Sequence, residues 1–200
     1  MPLGANNAAI MGVAGTAAAA DVVLLSSQTD SDSSGIAFTS GIDSTYGEYI
    51  FGFYNINLET DNEHLEFQVN ASGESGYNET ITSTFFKAYH NVADSGALLA
   101  YNTGDDQAQG TAYQSLVENS GNAADENCAG KLHLFNPSST TYVKHFYSRF
   151  SSSHAGSAEL DNFAAGYINT TGAITGINFK ISSWNFDGTI KLLRVIYLWL

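Results

Sequence analysis

Short runs of alternating apolar and polar residues recur along this chain from residue 48 onward, each closed by a turn-rich stretch. In Glu48 to Ile56 (EYIFGFYNI), Tyr49, Phe51 and Phe53 share one side of a period-two strand. In His64 to Val69 (HLEFQV), Leu65, Phe67 and Val69 point inward while Glu66 and Gln68 face water. Such alternation predicts strands with one wet face. The run Thr80 to His90 (TITSTFFKAYH) is rich in β-branched and aromatic residues, which suit a pleated surface. Further strands are predicted at Ala97 to Tyr101, Lys131 to Phe135, Tyr142 to Phe150, Asn162 to Asn169, Ile177 to Ser182 and Thr189 to Val195. Residues 102–110 and 119–130 read as polar loops, and Asn136-Pro137 as a turn. No segment shows capped helical periodicity, and only Pro2 and Pro137 could interrupt a ladder. About eight or nine strands with long loops predict an all-β fold, an antiparallel two-sheet sandwich of jelly-roll type.

The chain divides near residue 40. Small residues dominate before it (Gly4, Ala5, Gly12, Ala14, Gly15, Ala17 to Ala20), followed by the polar, turn-rich Ser26 to Ser34 (SSQTDSDSS). These side chains bury little area each, so residues 1–40 read as an extended N-terminal arm that orders against a neighbour, or as a plain flexible tail. Residues 41–200 form the sandwich domain. Residues 8–25 are apolar but lack a basic flank, since the first Lys or Arg is Lys87, and Asp21 interrupts them. Neither a secretory signal nor a membrane helix is expected there. The sequons at Asn70, Asn78 and Asn169 read as chance matches.

Charge narrows the partners. Seven Lys and Arg stand against 20 Asp and Glu, a net charge of −13. Nucleic-acid binding needs clustered cations, and an anionic membrane would repel this surface, so neither partner is expected. Charged residues are only 14% of the chain, against about 25% in ordinary domains. Ser, Thr, Asn and Gly wet the surface instead.

Candidate chemistry is sparse. Cys128 is alone, beside Glu126, and reads as a bystander. The histidines His64, His90, His133, His145 and His154 show no zinc-ligand spacing. His133 and His145 could approach one another across a sandwich, or simply lie on a polar face. Glu48, Glu63, Glu66, Asp94 and Asp161 are candidate acids, with nothing to single out a hydrolytic pair. No catalytic residues, cofactor or assigned metal are expected. A structural Ca²⁺ is conceivable at Asp30/Asp32, Asp61/Asn62/Glu63, Asp105/Asp106 or Asp125/Glu126, with solvated loop carboxylates the plainer reading. Tyr77, Tyr101, Tyr113 and Trp184 lie in or beside turns and are candidate glycan contacts, since exposed Tyr and Trp stack on sugars and also anchor protein interfaces. The apolar end, Val195, Ile196, Tyr197, Leu198, Trp199 and Leu200, is a candidate intersubunit contact.

Several long blocks carry a resemblance: IDSTYGEYIFGFYNIN (Ile42 to Asn57), YNETITSTFFKAYH (Tyr77 to His90), DDQAQGTAYQSL (Asp105 to Leu116), KLHLFNPSSTTYVKHFYSR (Lys131 to Arg149), FAAGYINTTGAITGINFKISS (Phe163 to Ser183) and FDGTIKLLRVI (Phe186 to Ile196). In order and spacing the chain resembles virion structural proteins of tailed phages, especially marine ones, over residues 36–196. This chain departs from that pattern by adding Leu193 to Leu200 after the G-T-I-K strand. The resemblance implies a non-enzymatic virion protein and carries no catalytic residues. In one expectation the domain decorates or cements the capsid through its N-terminal arm. In the alternative it sits on a tail or fibre and touches a host surface glycan as a receptor- or carbohydrate-binding module. The expected partners are sister subunits, first of all as a homotrimer, and the major capsid protein or tail components.

Overall fold

The computed structural model describes residues 22–195. They form an all-β fold of thirteen strands, and no helix occurs among the described residues. In chain order these are β1 (Val22–Ser33), β2 (Ile36–Phe38), β3 (Glu48–Leu58), β4 (Glu63–Ala71), β5 (Ile81–Asn91), β6 (Ala97–Tyr101), β7 (Ala108–Gly110), β8 (Gln114–Ser120), β9 (Cys128–Phe135), β10 (Lys144–His154), β11 (Ala158–Ile168), β12 (Ile174–Ile181) and β13 (Phe186–Val195).

All strand pairs are antiparallel, and the sheet curls until it is nearly closed into a barrel. The larger run is β1-β13-β3-β9-β10, extended from β10 through β11 and β5 to β6 and β7. The smaller run is β8-β4-β12-β2. A single residue pair, Ser120 opposite His154, joins the two runs. At the opposite seam the Gln28 amide on β1 donates to the Ala37 carbonyl on β2 at 2.9 Å. The pairing is nested: β3 lies on β13, β4 on β12 and β5 on β11.

The alternation in the sequence places one core between the runs. Phe51 and Phe53 on β3 and Phe146 and Phe150 on β10 meet Phe38, Phe67 and Phe179 from the smaller run, all buried. Phe179 sits among them, with ring centroids 5.1 Å from Phe51 and 4.9 Å from Phe53. Edge-to-face rings of this kind add to the energy of burial. Strand β13 bulges at Gly188 (φ +151°), where a side chain would strike Ile56, so glycine is required by both conformation and space.

The segment read as an arm divides. Residues 1–21 lie outside the described residues. Val22–Ser33 pairs with β13 as an edge strand, and Ile36–Phe38 pairs with β12 with Ile36 and Phe38 buried. The boundary placed near residue 40 therefore falls inside the folded unit. The physical reason is that an edge strand with solvent on its side can carry a polar second half such as Ser26 to Ser33: the Thr29 and Thr189 hydroxyls meet at 2.7 Å across the β1–β13 ladder. Gln68 also differs from expectation. It is buried, and its amide donates to the carbonyls of Glu79 (2.9 Å) and Ala112 (3.0 Å). A polar residue at an outward position was covered by a loop.

Candidate functional site

Two places gather chemistry. The first is a buried polar network between β4, β5, β8 and the segment after β6. Glu118 on β8 is wholly buried and is engaged by the Lys87 ammonium and the Asn102 amide. Asn102 also reaches Asp105, whose Oδ1 lies 2.9 Å from His64 Nδ1 and accepts from Ser115 Oγ at 2.7 Å. Gln114 donates to the Asp105 carbonyl at 2.8 Å and accepts from Ser83 Oγ at 2.6 Å. Every carboxylate here has a donor, which is what permits its burial. A cleft of about 340 Å³ opens beside His64, Glu66, Asp106 and Tyr113. Ser115 and His64 both lean on Asp105, so the hydroxyl is not relayed through the imidazole to the acid as in a nucleophilic triad.

The His64–Asp105 pair makes stability pH-dependent. The hydrogen bond to Asp105 raises the His64 pKa above its ordinary 6.5, against the lowering effect of burial. Burial alone would push Asp105 up, but hydrogen bonds from His64 and Ser115 outweigh it and hold the acid below its ordinary 3.8. The histidine's contribution is complete below 6.5 and is lost as pH rises through the raised value. The acid's contribution is complete above 3.8 and is lost as pH falls through the lowered value. Wild-type urea midpoints are therefore expected to fall between pH about 5.5 and about 8.5, and His64→Gln to flatten that fall. An equal fall in the variant refutes the coupling.

The second place is a groove of about 880 Å³ where three loops meet at one end of the sheet: residues 39–47, 136–143 and 169–173. Tyr46, Phe135, Tyr142 and His145 supply its aromatic surface, and Tyr142 is 74% exposed. The loops are tied to one another. Asn136 N donates to Gly47 O at 2.7 Å, and Ile174 N to Pro137 O at 2.8 Å. Ser139 Oγ accepts from the backbone of Thr141 (3.2 Å) and Tyr142 (3.0 Å). Beneath them the buried Lys144 ammonium donates to the carbonyls of Thr170 (3.0 Å) and Gly172. Burial lowers the Lys144 pKa, and Glu79 counters it.

The residues singled out in the sequence are dispersed. Tyr101 lies on the outer face of the larger run, 53% exposed, with its hydroxyl on Asp106. Tyr113 lines the His64 cleft, its hydroxyl donating to Asn178 Oδ1 at 3.2 Å and its ring beneath Lys180. Tyr77 packs near Gly176 on the smaller run. Trp184, 70% exposed, occupies the turn between β12 and β13. Tyr77 and Tyr113 are neighbours, and Tyr101 reaches the rim of the same cleft through Asp106. Val195 ends β13 opposite Val22, while Ile196, Tyr197, Leu198, Trp199 and Leu200 lie outside the described residues. His133 and His145 do not pair. His133 stacks on Tyr147 (4.4 Å) and sits 2.6 Å from Glu48 Oε1, and His145 lies near Tyr167.

Several of the acidic groups have partners, while burial raises the pKa of Glu66 in the His64 cleft, with Lys180 3.9 Å away as a counter-charge. Arg149 holds Asp161 in a fork, His90 meets Asp94 at 3.1 Å, and Ser182 donates to Glu63. Asp32 Oδ1 accepts from Asn185, and Asp61 Oδ1 from the backbone of Asn122. Among the described residues no three His, Cys, Asp or Glu side chains are arranged to hold a metal ion. Cys128 is buried, which pushes its thiol up to about 12.

The groove was missed in the sequence because its walls come from three separate loops. The local string NPSSTTY (136–142), hydroxyls ending in an aromatic, was its one sequence signal. Comparison with known proteins adds no assignment. No family model matches the chain, and no curated protein matches it. Among solved structures, a Bacteroides ovatus protein of unknown function aligns at 8% identity and TM-score 0.28, over 52% of this chain and 45% of that one. At that level the likeness carries no argument.

Proposed function

We propose that this chain is a non-enzymatic structural protein of a tailed-phage virion, facing outward and decorating or cementing the capsid, with its N-terminal residues making the particle contact. The nested pairing of β3 with β13, β4 with β12 and β5 with β11 supports the finer reading of the fold as a jelly roll, in which one long hairpin is rolled over on itself. The observation that carries the assembly role is the edge strand β1. There Val22, Leu24 and Leu25 are 46%, 53% and 37% exposed. By register Leu24 lies beside Leu193, and Leu193 beside Ile50, so an apolar row leads inward from the open edge. A long edge with apolar side chains invites pairing with another chain. The occupant in this reading is a second copy of the protein, arranged as a homotrimer about an axis. The engaged acids described above support the non-enzymatic reading.

Light scattering on the purified chain is expected to give a trimer mass, and Leu24→Glu with Leu25→Glu to shift it to the monomer. Purified particles should contain the protein at high copy number. Its absence from particles refutes the virion role, and a monomeric wild type refutes the edge as an assembly surface.

The groove favours a second reading, a tail or fibre module that binds a host surface glycan. It is rigid, concave and rimmed by an exposed tyrosine, as a small-ligand site requires.

A further inference from the structure

The groove's lining specifies its ligand more closely than the second reading does. The surface between the three loops carries no Asp, Glu, Lys or Arg, in a protein with 20 acids. Its lining mixes hydroxyl and amide groups (Ser44, Asn136, Ser138, Thr141 and Thr171) with the aromatic rings of Tyr46, Phe135, Tyr142 and His145. The lining itself offers an ion no counter-charge, the nearby cations Arg194 and Lys144 being engaged on the Tyr46 ring and on the Thr170 and Gly172 carbonyls, and a purely apolar ligand would strand the hydroxyls. A pyranose suits such a mixed lining, with hydroxyls along its rim and apolar C–H faces that lie against rings.

The aromatic surface continues out of the groove. Phe135 and Tyr147 have centroids 5.7 Å apart, and Tyr147, 45% exposed, stacks on His133 at 4.4 Å. A volume of about 880 Å³ is in the range of sites that hold drug-sized ligands, and the platform beyond it extends the reach to a further ring. The loop ties and the Lys144 ammonium beneath them fix the walls before any ligand arrives, which lowers the entropy lost on binding.

We propose that this groove binds a short neutral oligosaccharide of two or three pyranose units, with Tyr142 and His145 as contact residues. The proposal deepens the glycan-binding reading and is independent of the capsid-decoration reading.

The test uses the full chain with four neutral probes (maltotriose, cellotriose, mannotriose and triacetylchitotriose) and one charged probe, trigalacturonate. Saturation-transfer NMR and calorimetry would read binding. At least one neutral probe is expected to bind with a Kd of about 0.1–10 mM, weakened about tenfold or more by Tyr142→Ala and by His145→Ala. Both side chains are exposed, so neither variant should unfold. Trp184→Ala, at a distant turn, should leave the affinity unchanged. Binding that survives both groove substitutions overturns the site while sparing the glycan reading. Failure of every neutral probe at about 10 mM overturns the neutral-oligosaccharide proposal, and failure of trigalacturonate as well overturns the glycan reading of the groove. Equal affinity for trigalacturonate overturns the neutral ligand class.

Discussion

Phe179→Ala is expected to lower folding stability by about 3–5 kcal/mol, the usual cost of deleting a buried ring whose cavity cannot collapse. Phe179 is fully buried, and its ring approaches those of Phe38, Phe51, Phe53 and Phe67. Phe51 and Phe53 belong to the larger run, while Phe38, Phe67 and Phe179 belong to the smaller. The ring therefore holds the two runs against each other, and neighbours fixed in opposing strands cannot all move into the void. The urea midpoint should fall with the m-value unchanged. For a chain of this size each kcal/mol corresponds to about 2–4 °C in Tm. A loss below about 1 kcal/mol would mean that the runs do not share a core at this position.

Lys87→Ala should cost a comparable amount for a different reason. Glu118 has no solvent exposure, and Lys87 supplies its positive partner. Removing the cation leaves a buried acid without its positive partner, beside the Asn102 amide and the Asp105 carboxyl, a loss of about 3–5 kcal/mol. Because the penalty comes from the stranded charge, Glu118→Gln in the Lys87→Ala background should restore a substantial part of it. A double-mutant cycle by urea denaturation measures that rescue. Additive losses in the double variant would show that the pair is not coupled.

The strands legible in the sequence are those with large apolar side chains at every second position. Tyr49, Phe51 and Phe53 announce β3, and Leu65, Phe67 and Val69 announce β4, because hydrophobicity itself reports which way each side chain points. Strand β8 was not legible. Its Gln114, Ser115, Glu118 and Ser120 are buried polar residues, stabilised by partners such as Ser83, Asp105, Lys87 and Ser153 that are distant in the chain. Composition reads such a strand as loop, since it cannot register a hydrogen bond formed across the fold. Strand β1 was hidden by its composition, an apolar start running into the polar, turn-like Ser26 to Ser33 without alternation. The groove shares the difficulty: each of its loops is an ordinary turn until the other two are beside it.

The two seams of the sheet have a mechanical consequence. One has a single ladder pair, Ser120–His154, with side-chain links such as Lys87–Glu118 beyond it, and the other is bridged by the Gln28 side chain reaching Ala37, whereas neighbouring strands within each run are zipped along long ladders. Under load the protein should yield first at those seams, its halves parting like the valves of a shell with their ladders intact. The phenylalanines between the halves then act as the adhesive that draws them shut when the load is released.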